Sequence, residues 1–158
     1  MQKLASLRAA IVAALPELAV DPDRLLCTAT KGKIASRGTT SLGYEYRYTA
    51  SLWLLDFSAE SAVLMSAILL WARDNQRDLL EGDRALQAIA FEAEVLDDKT
   101  IDLNVQLELT DAVALAPRAG GGHALTFLPE PPRAGFELLS DAPLGEIWFG
   151  GTRLFPPA

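Results

Sequence analysis

Apolar residues near the start of the chain recur at spacings of three and four. Leu4, Leu7, Ile11 and Leu15 form one stripe, which predicts a helix over residues 3–15. Asp21-Pro22-Asp23 then turns the chain into a predicted strand from Arg24 to Thr30, with Lys31-Gly32-Lys33 as a turn and Ile34 to Arg37 returning. From Gly43 to Phe57 the period falls to two. Tyr44, Tyr46, Tyr48, Ala50, Leu52 and Leu54 share one face, while the other begins polar with Glu45, Arg47, Thr49 and Ser51 and ends apolar with Trp53, Leu55 and Phe57. Such a strand approaches about 50 Å in length, so its Trp53 end is expected between two layers of core and its Tyr end is expected to protrude or meet a neighbour.

Helix formers follow from Ala62 to Gln76, with Ser58 or Ser61 as the cap and Val63, Ile68, Leu69 and Trp71 on the apolar side. Ile89, Phe91, Ala93 and Val95 then alternate with acids, as do Ile101, Leu103, Val105, Leu107 and Leu109 with polar residues, and the two runs predict a hairpin. Parity restricts its loop. For both apolar sets to face one core, odd-numbered residues must oppose odd-numbered ones, which a two-residue Asp98-Lys99 turn forbids. A three- or five-residue loop, or a bulge, is required; pairing Val95 with Ile101 then sets Glu94 against Asp102.

Periodicity stops after Ala116, where Pro117, Gly120-Gly121-Gly122 and Pro129 to Pro132 punctuate the chain. The glycines read as a hinge, and Gly150-Gly151 reads as the turn of a small hairpin between two short apolar runs. The pattern thus predicts an α+β fold with an antiparallel sheet packed by two helices, in the order α-β-β-β-α-β-β, over residues 1–116. Residues 117–158 form an extended C-terminal arm whose Trp148, Phe149, Leu154 and Phe155 need burial against a neighbour or partner.

Composition narrows the chemistry more than the pattern does. In 158 residues there is one cysteine, Cys27, and one histidine, His123, so an intrachain disulfide and a four-ligand Cys/His zinc site are excluded. Cys27, among apolar residues on a strand, reads as an inert thiol. Half the residues are apolar and the net charge is −7, distributed as +3 over residues 1–50 (seven Lys/Arg, four Asp/Glu) and −10 over the rest (seven against seventeen). That balance disfavours wrapping nucleic acid, for which clustered cations are needed. Arg8 interrupts the first apolar run, and Val63 to Ala72 is about half the length that crosses a bilayer, so no signal peptide, membrane span or membrane partner is expected.

Glu92, Glu94, Asp102 and Glu108 lie on the polar sides of the predicted hairpin. They suit either a solvated face or, in a small metal-dependent enzyme, a hard-metal site. Lys31, Lys33, Arg37, Tyr44, Tyr46, Arg47 and Tyr48 gather the cations and the tyrosines, a composition that fits a subunit or protein interface. No constellation of nucleophile and base emerges, and no cofactor or metal is expected.

LASLRAAIVAALPELAVDPDRL at 4–25, GYEYRYTASLWLLDF at 43–57, FEAEVLDDKTIDLNVQLELTD at 91–111 and LPEP at 128–131 resemble, in order and spacing, the tail completion protein R family of P2-like contractile-tailed phages and related prophages. The resemblance implies a non-enzymatic virion component, similar in element order to tail terminators. Such proteins form rings, usually hexameric, that cap the head-proximal end of the tail tube, stop its polymerisation and prepare it for head joining. The implied partners are further copies of the chain, the tube, possibly the sheath protein, and a head-neck connector, with DNA only in passage. The implied locations are the host cytoplasm during assembly and then the virion tail or a tail-like particle. A neck or head-completion adaptor is the alternative within the same class. For a ring, the cationic early strands and acidic later ones offer two complementary patches, and the four acids are candidates for its lumen face.

Overall fold

In a computed structural model, described at residues 1–36, 38, 42–81, 85, 87–131, 145–149 and 151–155, the α+β class is as expected: a mostly antiparallel sheet is flanked by helices. Arg37 and the side chain of Phe149 lie outside the described residues. Helix α1 spans Gln2–Ala14, and its stripe of Leu7 and Ile11 is fully buried. A single turn, α2 (Glu17–Val20), and a 3-10 turn at Pro22–Arg24 lead into β1, Leu25–Ser36. Strand β2 covers Tyr44–Phe57 and helix α3 Ser61–Asn75. A 3-10 turn at Arg77–Leu80 precedes β3 (Ile89–Val95), β4 (Ile101–Pro117) and β5 (His123–Phe127).

The sheet runs β1-β2-β4-β3, and β5 pairs with β4 beyond the end of β3. Helices α1 and α3 cover one face only. The β2 series Tyr48, Ala50, Leu52 and Leu54 meets Leu103, Val105, Leu107 and Leu109 of β4 beneath them, and the Trp71 indole N–H on α3 donates to Ser6 Oγ on α1 at 3.0 Å. The β3-β4 hairpin takes the register that parity required: Val95 faces Ile101 and Glu94 faces Asp102 across a five-residue loop, residues 96–100. Within that loop the Asp97 carboxylate accepts the Lys99 and Thr100 amides at 2.7 and 2.8 Å, which holds its pKa below the usual value.

The early hairpin expected at Lys31-Gly32-Lys33 is instead one strand with a bulge. Thr30 pairs with Thr49 and Lys33 with Arg47, so Lys31 and Gly32 together oppose only Tyr48, and Lys31 takes φ 53°. Two residues against one bend a strand without reversing it, and the long β2 thereby gains a partner over most of its length. The cap of α3 is Glu60, whose carboxylate accepts the Ala62 amide at 3.3 Å, rather than either serine. Trp53, expected inside, is 40% exposed, because among the described residues nothing covers the second face of the sheet. Phe91 and Val95 point to the helix side as their parity demands, yet they are 64% and 74% exposed, since β3 lies at the sheet edge.

The chain does not leave the sheet at Ala116. Gly120, Gly121 and Gly122, all at positive φ, form the tight reversal from β4 to β5, and β5 pairs back from Val113 to Pro117. Strands β6 (Ile147–Phe149) and β7 (Thr152–Phe155) make the small hairpin anticipated around Gly151, which takes φ 82°. Ile147, Leu154 and Phe155 pack against the core, whereas Trp148 is 57% exposed.

Candidate functional site

Among the described residues, the uncovered face of the sheet and its edges carry the acids and cations singled out by the sequence. Strand alternation places Glu92 and Glu94 of β3 and Asp102 and Glu108 of β4 together on this face. Their neighbours are polar and partly sequestered. The Thr49 hydroxyl bonds Glu108 Oε1 at 2.6 Å, and Ser51 Oγ donates to Asn104 Oδ1 at 2.8 Å with both side chains buried between the strands. Asp102 Oδ1 accepts the Asp56 amide at 2.9 Å, steadying the irregular end of β2, where Asp56 itself takes φ 48°. At that end the face becomes apolar, with Leu26 opposite Trp53.

The cations lie toward the other end of the strands. Arg47 pairs with Lys33 across the β1-β2 ladder, and its Nε donates to Glu45 Oε1 at 2.5 Å. Beside them, Glu45, Arg47, Asp78, Glu108 and Thr110 line an open hollow of about 570 Å³ where β3 has ended and β5 has not begun. Among the described residues no group of three or more His, Cys, Asp or Glu is placed to hold a metal ion. Burial pushes the Cys27 thiol up, with Arg8 opposing, so thiolate chemistry at neutral pH is disfavoured.

The tyrosines separate. Tyr44 and Tyr46 are half-buried and meet edge to face, with ring centroids 5.2 Å apart. Tyr48, grouped with them in sequence, is 2% exposed and belongs to the core; its hydroxyl donates to Asp111 Oδ2 at 2.9 Å. Burial first, and then this bond, push the phenol well above its ordinary pKa of about 10. A raised folded pKa means the stabilisation is complete below pH 10 and is lost as pH rises beyond it. Tyr48→Phe is therefore expected to cost about 1.5–3 kcal/mol near neutrality, the range for bonds to charged groups, and to flatten the loss of stability above pH 10. Denaturant titrations at pH 7 and pH 10.5 check both.

Sequence reasoning missed the polar hub behind the tyrosines. Asp111 also accepts the Lys3 amide at 3.1 Å, while Lys3 Nζ reaches Gln76 Oε1 at 2.9 Å and Glu130 Oε2 at 2.8 Å. Gln76, 2% exposed, accepts the Thr110 amide at 3.0 Å in the stretch of β4 between β3 and β5. One signal was present: Asp111 interrupts the apolar series Leu107, Leu109, Val113 at a core-facing position. Gln76 gave none, since its role depends on a gap in strand pairing.

A sequence profile of the family described as P2 phage tail completion protein R (GpR) matches residues 1–131. The curated tail completion protein R of Escherichia phage P2 is 32% identical over 133 residues, covering 84% of this chain and 86% of that protein. No solved structure matches the chain significantly.

Proposed function

This chain belongs to the P2 phage tail completion protein R family, and from that premise we propose that it is a tail terminator: a non-enzymatic ring, hexameric, that caps the head-proximal end of the tail tube, stops its growth and presents the surface for head joining. The observation that carries this reading is the match over residues 1–131, which takes in every strand of the five-stranded sheet. Its partners are copies of itself, the tube and possibly the sheath on one side, and a head-neck connector on the other. It assembles in the host cytoplasm and remains in the virion tail. Among the described residues no helix is long and apolar enough to cross a membrane.

In this reading Lys31, Lys33, Arg37, Tyr44, Tyr46 and Arg47 serve subunit or tube contact, and the exposed Trp148 of the C-terminal hairpin serves a partner. The acids of the uncovered face approach the lumen, where like charge lets DNA slide instead of holding it by its phosphates. Electron microscopy of particles assembled without the protein tests the role. Overlong or ragged tubes are expected; tubes of normal length that merely lack heads would instead assign it to the neck.

A further inference from the structure

In the five-stranded sheet, the outer edges of β1 on one side and of β3 and the short β5 on the other have no partner strand among the described residues. Unpaired edges are templates for another chain, and those of β1 and β3 match in side-chain pattern. On the helix side of the sheet, β1 presents Ile34, 67% exposed, and β3 presents Phe91. On the uncovered side β1 presents Lys33, beside Lys31 in its bulge, and β3 presents Glu92 and Glu94. We propose that β3 of one subunit adds antiparallel to the second half of β1 of the next copy, with Phe91 against Ile34 and Glu92 against Lys33, so that the ring is one continuous β-barrel. This rests on the ring reading above.

The geometry of closure supports this register independently of the charges. Strands β1, β2, β4 and β3 alternate in direction, so rotation about an axis near the strand direction leaves β3 antiparallel to the following β1. Phe91 is level with Leu52 of β2, through Val105, and Ile34 is level with Tyr46; joining them displaces adjacent subunits by six residues along the strands. That is about 20 Å along the strands across four strands about 19 Å wide, which corresponds to a strand tilt of about 45°, at the upper end of the range for closed barrels.

The direction of displacement is also consistent. The β2-α3-β3 crossover joins parallel strands, for which a right-handed connection is the rule. With right-handed twist and the helices outside, closure carries β3 toward the later half of the neighbouring β1; with the helices inside, it would carry β3 off the end of that strand. The same register sets Ile89 against Ser36, so β3 starts where β1 stops. Placing the helices outside turns Glu92, Glu94, Asp102 and Glu108 into the lumen.

The test uses the full chain with Cys27→Ser, Ile34→Cys and Phe91→Cys, since directly opposed antiparallel residues lie within disulfide reach. Mild oxidation is expected to give a ladder of covalent multimers ending at the ring size found by native mass spectrometry, whereas either single cysteine gives at most dimers. Rings that form without a ladder would overturn the strand pairing and leave the ring intact; a chain that remains monomeric at every concentration would overturn the ring and the pairing together. Lys33→Glu or Glu92→Lys should each raise the concentration for half-assembly about tenfold, and the two combined should restore it. Loss of assembly in the combined variant as severe as in the singles would count against direct contact.

Discussion

Truncation after Ala116 is expected to unfold the protein at 37 °C, whereas truncation after Pro131 leaves a cooperatively folded domain. The shorter chain loses Pro117 and β5, and with β5 the partner of β4 from Val113 to Ala116, together with the bond from the Leu128 amide to Ala112 O at 2.8 Å. It also loses Glu130, whose ion pair with Lys3 has side-chain exposures of only 18% and 13%, and the Pro131 carbonyl that accepts from Arg77 at 3.1 Å. Stranding one member of a fully buried ion pair costs about 3–5 kcal/mol; this pair is part-buried and costs less, and the bared end of β4 adds to it, against a total stability of about 5–15 kcal/mol for a typical domain. Among the described residues, truncation after Pro131 removes the packing of Ile147, Leu154 and Phe155 against the core, which should lower the melting temperature without abolishing the transition. Thermal melts followed by circular dichroism distinguish the two, and a sharp melt for the 116-residue chain within a few degrees of the full chain would refute the expectation.

Replacing Gln76 by Ala should cost about 3 kcal/mol, nearly as much as a large core deletion. Its amide oxygen receives the Thr110 amide and Lys3 Nζ, and its nitrogen donates to Thr110 Oγ1 at 3.1 Å and Asp78 Oδ1 at 2.5 Å. Truncation strands a buried backbone amide on β4, which then carries the full desolvation penalty, and takes one of two partners from the part-buried Lys3 ammonium, Glu130 remaining. For a chain of this size such a loss lowers the melting temperature by about 10 °C. In a double-mutant cycle with Lys3→Met, the combined loss should fall short of the sum of the two single losses, because both substitutions remove the same bond between Lys3 Nζ and Gln76 Oε1. Strict additivity would place Lys3 outside the hub.

Much of the fold was legible because burial on one side imposes a period. Leu7 and Ile11 on α1, the even-numbered residues of β2, and the parity of the β3-β4 hairpin all follow from one apolar face meeting one core, and a slip of one residue would expose the whole set. The bulge at Lys31-Gly32 was not legible, since a glycine flanked by lysines suits a reversal as well as a bulge, and only the length of β2 decides between them. Tyr48 was misplaced for a related reason: alternation assigns Tyr44, Tyr46 and Tyr48 to one face and does not say where along the strand the helices begin to cover it.

The amino-acid order alone therefore determines which residues share a face, which runs are helices or strands, and that the cations precede the acids, because these depend on local geometry and neighbouring residues. Tertiary structure decides how far the helices reach across the sheet. That reach is why Phe91 and Val95 are exposed although patterned like core, and why Gln76 completes a gap between two strands that no sequence period records; Trp53 is 40% exposed because among the described residues no second layer covers its face. Burial at an edge depends on the width of the covering layer, and that width is a property of three segments packed together, with no one of them encoding it.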